Sequence, residues 1–146
     1  RKPGVGDLLL ATTDATIAAQ NAVVAAESLG IGSCYIGDIL EQHDLHRKLL
    51  NLSEYVVPVC MLVLGYPAND HFKRQKPKRC QLEDIVCVDQ YHRKNQQELE
   101  NMFEHKAGNK TLHEWTFCNR KYNSDFSKEM TDSVQKYIDQ FKSEAN

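Results

Sequence analysis

The sequence lacks a long unbroken apolar run, a cysteine framework and an excess of either charge. Its longest nearly continuous apolar stretch, Val56 to Leu64, is nine residues long and contains Pro58. A bilayer-spanning helix needs roughly 20 apolar residues, so a membrane span is ruled out on run length. The cysteines, at positions 34, 60, 80, 87 and 118, are odd in number and widely spaced. That pattern fits free thiols in a reducing, cytoplasmic compartment better than a disulfide scaffold. The opening residues carry no signal-peptide pattern. Lys and Arg total 18 against 20 Asp and Glu, a net charge of −2. This balance argues against nucleic acid and against a polybasic membrane anchor as partners.

Motifs for metal and nucleophilic chemistry are also lacking. His43 and His46 stand three apart, but no Cys-x-x-Cys pair or His-Glu-x-x-His motif accompanies them. Isolated surface histidines, with no metal, are the reading. Neither Gly-x-Ser-x-Gly nor a Cys/His nucleophile environment occurs. Any demanding chemistry would then be carried by a cofactor.

What the chain does have is an asymmetry. Residues 1–68 hold 36 apolar residues, six of the seven glycines and 11 charges, whereas residues 69–146 hold 27 charges. A glycine-punctuated, core-like front is followed by a charged arm that could bury little alone. The front opens with a loop over residues 1–11, after which Asp14 is the expected N-cap of a helix from Ala15 to Leu29. That helix is apolar or small nearly all round, which predicts a central, buried position. Gly30 is placed to close it in the left-handed conformation. A short extended segment, 31–37, follows, and 38–52 read as a helix with a turn. Val56 to Leu64 is a strand, apolar on both faces and so expected inside a sheet, with Pro58 near its start. Residues 82–88 suggest a short strand. Two helices complete the chain, a polar one over 93–106 and one over 127–142. The second starts at a Ser127 N-cap and carries Met130, Val134, Tyr137, Ile138 and Phe141 on one stripe.

Two stretches are candidates for ligand contact. In Leu29-Gly30-Ile31-Gly32-Ser33 the glycines let a backbone approach a flat ligand and point amide protons at its acceptors. The same residues also suit a plain helix cap followed by a tight turn. The second stretch, Phe72 to Arg79, holds five cations in eight residues. It suits either a clamp for one phosphate or a solvated charged loop.

Taken together, the run from Asp14 through Gly30-Ile31-Gly32-Ser33 to Gly37 closely resembles the central helix and following turn of the nitroreductase family. Val59–Leu64 with Gly65-Tyr66-Pro67 is similar to that family's next strand, and Lys76-Pro77-Lys78-Arg79 to its later basic loop. The stretch from Cys118 to Met130 looks like the tail of a clostridial-type subgroup. The resemblance implies an α+β, nitroreductase-like fold: a central mixed sheet flanked by helices, in an intertwined dimer. This chain would be the C-terminal portion of that domain. Residues 1–91 would supply the core helix, flavin turn, strand and basic loop, and 92–146 a charged helical arm. The family's N-terminal half, with its Arg-rich phosphate motif, has no counterpart here.

The resemblance further implies FMN as cofactor and NAD(P)H as co-substrate. Hydride would pass through the flavin to nitroaromatic, quinone or flavin acceptors in a ping-pong cycle, with no catalytic side chain. Gly30, Ile31, Gly32 and Ser33 would lie against the isoalloxazine. Lys78 and Arg79 would pair with the FMN phosphate, with Lys76 as a third cation. The helix Ala15–Leu29 would form the core of a homodimer. The alternatives are a non-enzymatic, self-associating remnant and a related FMN-dependent reductive dehalogenation.

Overall fold

The computed structural model describes residues 1–68, 73–107 and 123–142. Its elements run α1 (Val5–Ser28), β1 (Gly32–Ile36), a 3-10 turn (Asp38–Leu40), α2 (His43–Leu49), β2 (Met61–Gly65), α3 (Leu82–Ile85), α4 (Gln96–Ala107) and α5 (Asp125–Asp139). They fall into two compact units. One comprises the described residues up to 68 and from 128 onward, and the other those between 73 and 127. The first boundary falls close to the change in composition after residue 68, but α5 from Lys128 onward belongs to the first unit.

In the first unit, α1 begins ten residues earlier than the expected Ala15. Gly4 is its N-cap, and the Asp7 carboxylate accepts the Gly4 amide proton at 2.8 Å. A carboxylate in the first turn also favours the positive end of the helix dipole. Asp14 is therefore mid-helix and caps nothing. Thr13 and Thr16 turn their hydroxyls back onto the Leu9 and Thr12 carbonyls, at 2.9 and 2.8 Å, which keeps these polar residues compatible with the helix.

The C-terminus of α1 is closed as the sequence predicts. Gly30 has φ +73°. Its amide donates to the Glu27 carbonyl, and the Ile31 amide donates to Ala26, both at 2.9 Å. This pair of bonds is a Schellman closure, in which a residue at positive φ turns the chain out of the helix.

The chain then enters β1, which pairs antiparallel with β2 in the register Gly32↔Gly65, Cys34↔Val63 and Ile36↔Met61. These two strands make up the sheet among the described residues. The ladder in β2 begins at Met61 rather than Val56. Proline has no amide to donate, and the segment around Pro58 stays outside the pairing.

Burial departs from expectation in this part of the unit. Within α1 only Ala26 is buried, while Leu10, Ile17 and Val24 are exposed. Met61, Val63 and Leu64 of β2 are exposed as well. The helix expected to be central thus presents its apolar surface outward in this chain. α1 is also long and apolar enough, by length and composition, to cross a membrane. Counting unbroken runs misses this because a helix of 24 residues tolerates scattered Thr and Asp.

The buried centre of the unit lies between α2 and α5 instead. Tyr137, Ser133 and Phe141 are buried, and Tyr137 is 1% exposed. The Tyr137 ring stands edge-on to His43 with centroids 4.2 Å apart, and Phe141 meets Tyr55 at 5.4 Å. Ser133 Oγ accepts the His43 amide proton at 3.0 Å and donates to Glu129 Oε1 at 2.6 Å. The same Glu129 oxygen accepts the amide of Gln42, a left-handed residue (φ 51°) at the head of α2. Gln140 Oε1 accepts from Arg47 and from the Tyr55 amide, at 3.2 and 3.1 Å. His43 is accordingly a buried packing residue, not a surface histidine. α5 begins at Asp125, two residues before the expected Ser127 cap.

In the second unit, residues 82–85 form a helical turn, α3, where a strand was expected. The Asp84 carboxylate accepts the Gln81 amide at 3.1 Å, which favours a turn over an extended segment. Helix α4 starts at a reciprocal cap. Asn95 Oδ1 accepts the Glu98 amide at 3.0 Å and Glu98 Oε2 accepts the Asn95 amide at 2.7 Å. The Asn95 amide, and after it His92, hold the Glu98 carboxyl below its usual range. This cap sets the start of α4 at Gln96 rather than residue 93.

Candidate functional site

The sequence-derived contact residues fall into two groups, one in each unit. The first is the turn after α1. Gly30, Gly32 and Ser33 are exposed and Ile31 is half-buried. A Cβ added at Gly30 would meet nothing within 4 Å, and one at Gly32 would lie 3.5 Å from the Gly65 carbonyl oxygen. Glycine at position 30 is thus required by its left-handed backbone rather than by crowding, and the space above it is open.

The amides of this turn are not all free to serve a ligand. Those of Gly30 and Ile31 are committed to the carbonyls of α1. Gly32 and Ser33 lie in β1, which has β2 on one side only among the described residues. Successive amides of a strand point to opposite edges, so one of these two faces away from β2. The turn fits a flat heteroaromatic group: it offers an open backbone surface and one outward amide donor rather than four. Tyr35 ties the strand to the helix, its hydroxyl lying 3.5 Å from Gln20 Oε1.

The second group is the basic loop. Phe72, at its start, lies outside the described residues. Lys76, Lys78 and Arg79 are all exposed. Lys78 and Arg79 line a cavity of 410 Å³, whose wall also includes Asp84 of α3 and Asn101, Glu104 and His105 of α4. Lys76 does not line it. Among the described residues neither Lys78 nor Arg79 forms an ion pair within 4 Å. Asp84, by contrast, has Lys94 at 4.0 Å. Two unpaired cations beside a concave wall suit an anionic group such as a phosphate.

Sequence reasoning missed His105 as part of this wall. Its Nε2 is buried and has no hydrogen-bond partner. The available signal was its place on α4 three residues after Met102, on the same side of the helix. Among the described residues no group of three or more His, Cys, Asp or Glu could hold a metal. The tail segment 118–122 lies outside the described residues.

Comparison with known proteins bears on the first group most directly. Residues 1–66 match the model of the nitroreductase family, a span that includes the Gly30–Ser33 turn and β2 but ends before Lys76. A Cr(VI) reductase from Pseudomonas sp. (strain G-1) is 30% identical over 118 residues, covering 75% of this chain and 47% of that protein. An NADPH-dependent FMN reductase from Bacillus subtilis is 40% identical over 72 residues, which are 49% of this chain and 29% of that protein. The solved structure of the NfrA1 nitroreductase from B. subtilis superposes with a TM-score of 0.68 at 22% identity. That superposition covers 96% of this chain and 59% of the other, and shows the α+β nitroreductase-like fold. The chain spans less than half the length of these two curated relatives. On the family match over residues 1–66 and the sequence likeness to these relatives, the chain belongs to the nitroreductase family.

Proposed function

We propose that this chain is the flavin-cradling part of an FMN-dependent NAD(P)H oxidoreductase that reduces small acceptors such as nitroaromatics, quinones or free flavin. The observation that carries the reading is the open, glycine-built turn Gly30–Ser33, at an unpaired strand edge within the family-matched segment. The names of two relatives, an FMN reductase using NADPH and a Cr(VI) reductase, support the reaction class. FMN, when bound, supplies the hydride-accepting and hydride-donating chemistry. The residues of this chain bind and orient it. Gly30 and Ile31 offer backbone surface to the ring. The outward amide of Gly32 or Ser33 donates to a ring acceptor, and such a preorganised donor stabilises developing negative charge where water is excluded. Lys78 and Arg79 hold the phosphate, with Lys76 outside the cavity as a supporting charge. The working form is a cytoplasmic homodimer that meets through α1.

Flavin retention tests this reading. Protein mixed with FMN, alone or co-expressed with the N-terminal half of a full-length relative, is expected to stay yellow through gel filtration. The double substitution Lys78→Ala and Arg79→Ala should weaken retention by about 1.5–3 kcal/mol per charged hydrogen bond. Protein that remains colourless in both preparations would overturn the assignment. The exposed apolar face of α1 favours a second reading, a self-associating remnant without enzymatic activity. A colourless but dimeric protein would be its signature.

A further inference from the structure

We infer that the second unit holds a binding site of its own for an aromatic carboxylate, in the cavity between the segment after α3 and helix α4. The inference goes beyond the flavin reading and does not rest on it. The cavity measures 520 Å³, within the range of about 300–1,000 Å³ usual for small-molecule sites. Its wall is drawn from residues between Asp84 and Phe103, so it lies inside one unit. The cavity beside Lys78 and Arg79 shares Asp84 and Met102 with it, but neither of those cations lines this one.

The chemistry of the wall selects the ligand. Ile85, Leu99, Met102 and Phe103 give the cavity an apolar lining. Leu99, Met102 and Phe103 stand three and four residues apart on α4, a spacing that puts them on one side of the helix. Burying an apolar body against such a lining drives binding, and a flat aromatic body gains further from contact with the Phe103 ring.

The polar groups of the same wall are mostly answered. Asp84 has Lys94 at 4.0 Å, and His92 Nε2 lies 3.2 Å from Glu98 Oε1. Arg93 differs: it lines the cavity and is exposed, and its side chain has no ion pair or hydrogen bond among the described residues. Tyr91, also at the wall, is 83% exposed, and its hydroxyl is likewise uncommitted among the described residues. A guanidinium pairs with a carboxylate through two parallel N–H donors, and a phenol can add a third. One unanswered cation beside an apolar lining therefore matches one negative charge on an aromatic body. A neutral ring would make no use of Arg93.

Naphthoate is the probe and naphthylmethanol its neutral control, each titrated into the full 146-residue chain. Binding is read by calorimetry and by the ¹³C methyl signals of the three methionines. Naphthoate should bind about tenfold or more tightly than the alcohol, the margin of a charge-assisted hydrogen bond. It should shift the Met102 signal and leave those of Met61 and Met130, in the first unit, unmoved. A shift confined to Met61, which is exposed on β2, would mean adventitious sticking to apolar surface and would overturn the site. Arg93→Gln should lower naphthoate affinity about tenfold and leave that of the alcohol unchanged. Equal affinity of the two probes for the wild type, or no loss in Arg93→Gln, overturns the carboxylate assignment. Ile85→Glu changes an exposed position, so the fold should survive while a like charge enters the wall. Naphthoate binding that is unchanged in this variant places the ligand elsewhere and overturns the site. Lys78→Ala with Arg79→Ala should leave naphthoate binding as it is, because neither residue lines this cavity. Loss of naphthoate binding in that double variant would mean that the two cavities are one site, and the inference falls. Loss of FMN retention alone in the same variant bears on the flavin reading and leaves this site standing.

Discussion

Helices α1 and α5 both carry apolar residues, yet in this chain α5 buries the middle of one face and α1 buries little beyond Ala26. Along α5 the apolar positions follow a helical stripe, Met130, Val134, Tyr137 and Ile138, with polar residues opposite. Such a helix needs one partner surface, and α2 with Tyr55 provides it, so Tyr137 and Ser133 become buried. α1 is apolar nearly all round, and a single neighbouring strand, β1, cannot cover it. Leu10, Ile17 and Val24 stay exposed, and Ala26, which anchors the Schellman closure, is the residue that is buried. An amphipathic helix can be satisfied within its own chain, whereas a uniformly apolar one needs surfaces on several sides.

The sharpest break of this contrast is at Tyr137. Tyr137→Ala removes the ring that packs on His43 and leaves a cavity in the best-buried part of the unit. Truncation of a buried aromatic residue costs about 3–5 kcal/mol, read as a fall in the denaturant midpoint. A change below about 1 kcal/mol would mean that the α2–α5 contact contributes little to stability.

The matching change on α1 should act differently. Ala22 and Ala25 are exposed small residues, and their size permits close approach of another helix. Ala22→Leu should leave the monomer fold intact but weaken self-association by about 1–3 kcal/mol through overpacking, read by sedimentation. Unchanged association would mean that α1 does not meet its partner at that position. Together the two substitutions separate stability held within the chain from stability held between chains.

This contrast also marks what was legible in the sequence. The Gly30 closure was legible because its physics is local: one residue at positive φ and two amides finding carbonyls within a turn. The α5 stripe was legible because burial on one face leaves a period of its own. The start of α1 was not, because Asp14 and Gly4 are both plausible N-caps in isolation. The choice between them came from Asp7 reaching back to the Gly4 amide. His43 was misread because its burial depends on Ser133 and Tyr137, some 90 residues away in sequence. The turn Gly30–Ser33 was found from residue pattern, but not the fact that two of its amides are already committed. His105 was missed because a lone histidine on a polar helix carries no pattern; only the cavity shared with Lys78 and Arg79 singles it out.

The smallest expected effect lies at the rim of the α2–α5 contact. Lys136 Nζ donates to Asp44 Oδ2 at 2.9 Å, and His43 Nδ1 lies 2.8 Å from the other carboxylate oxygen. Lys136, then His43, hold the Asp44 carboxyl below its ordinary value, and Asp44 in turn raises Lys136. A carboxylate with a depressed folded pKa contributes stability that is present above the unfolded value and lost as pH falls through the folded one. The raised ammonium works at the other end: its contribution is full below its unfolded value and is lost as pH rises through the folded one. Lys136→Met should therefore lower the melting temperature slightly at neutral pH. The gap from the wild type should close as the solution is acidified through the carboxylate range, and also at strongly alkaline pH. Both side chains are solvent-exposed, so salt should shrink the same gap at neutral pH. A gap that persists unchanged in acid would assign the effect to packing of the lysine stem rather than to its charge. The edge of the contact would then be held by the same apolar burial as its centre.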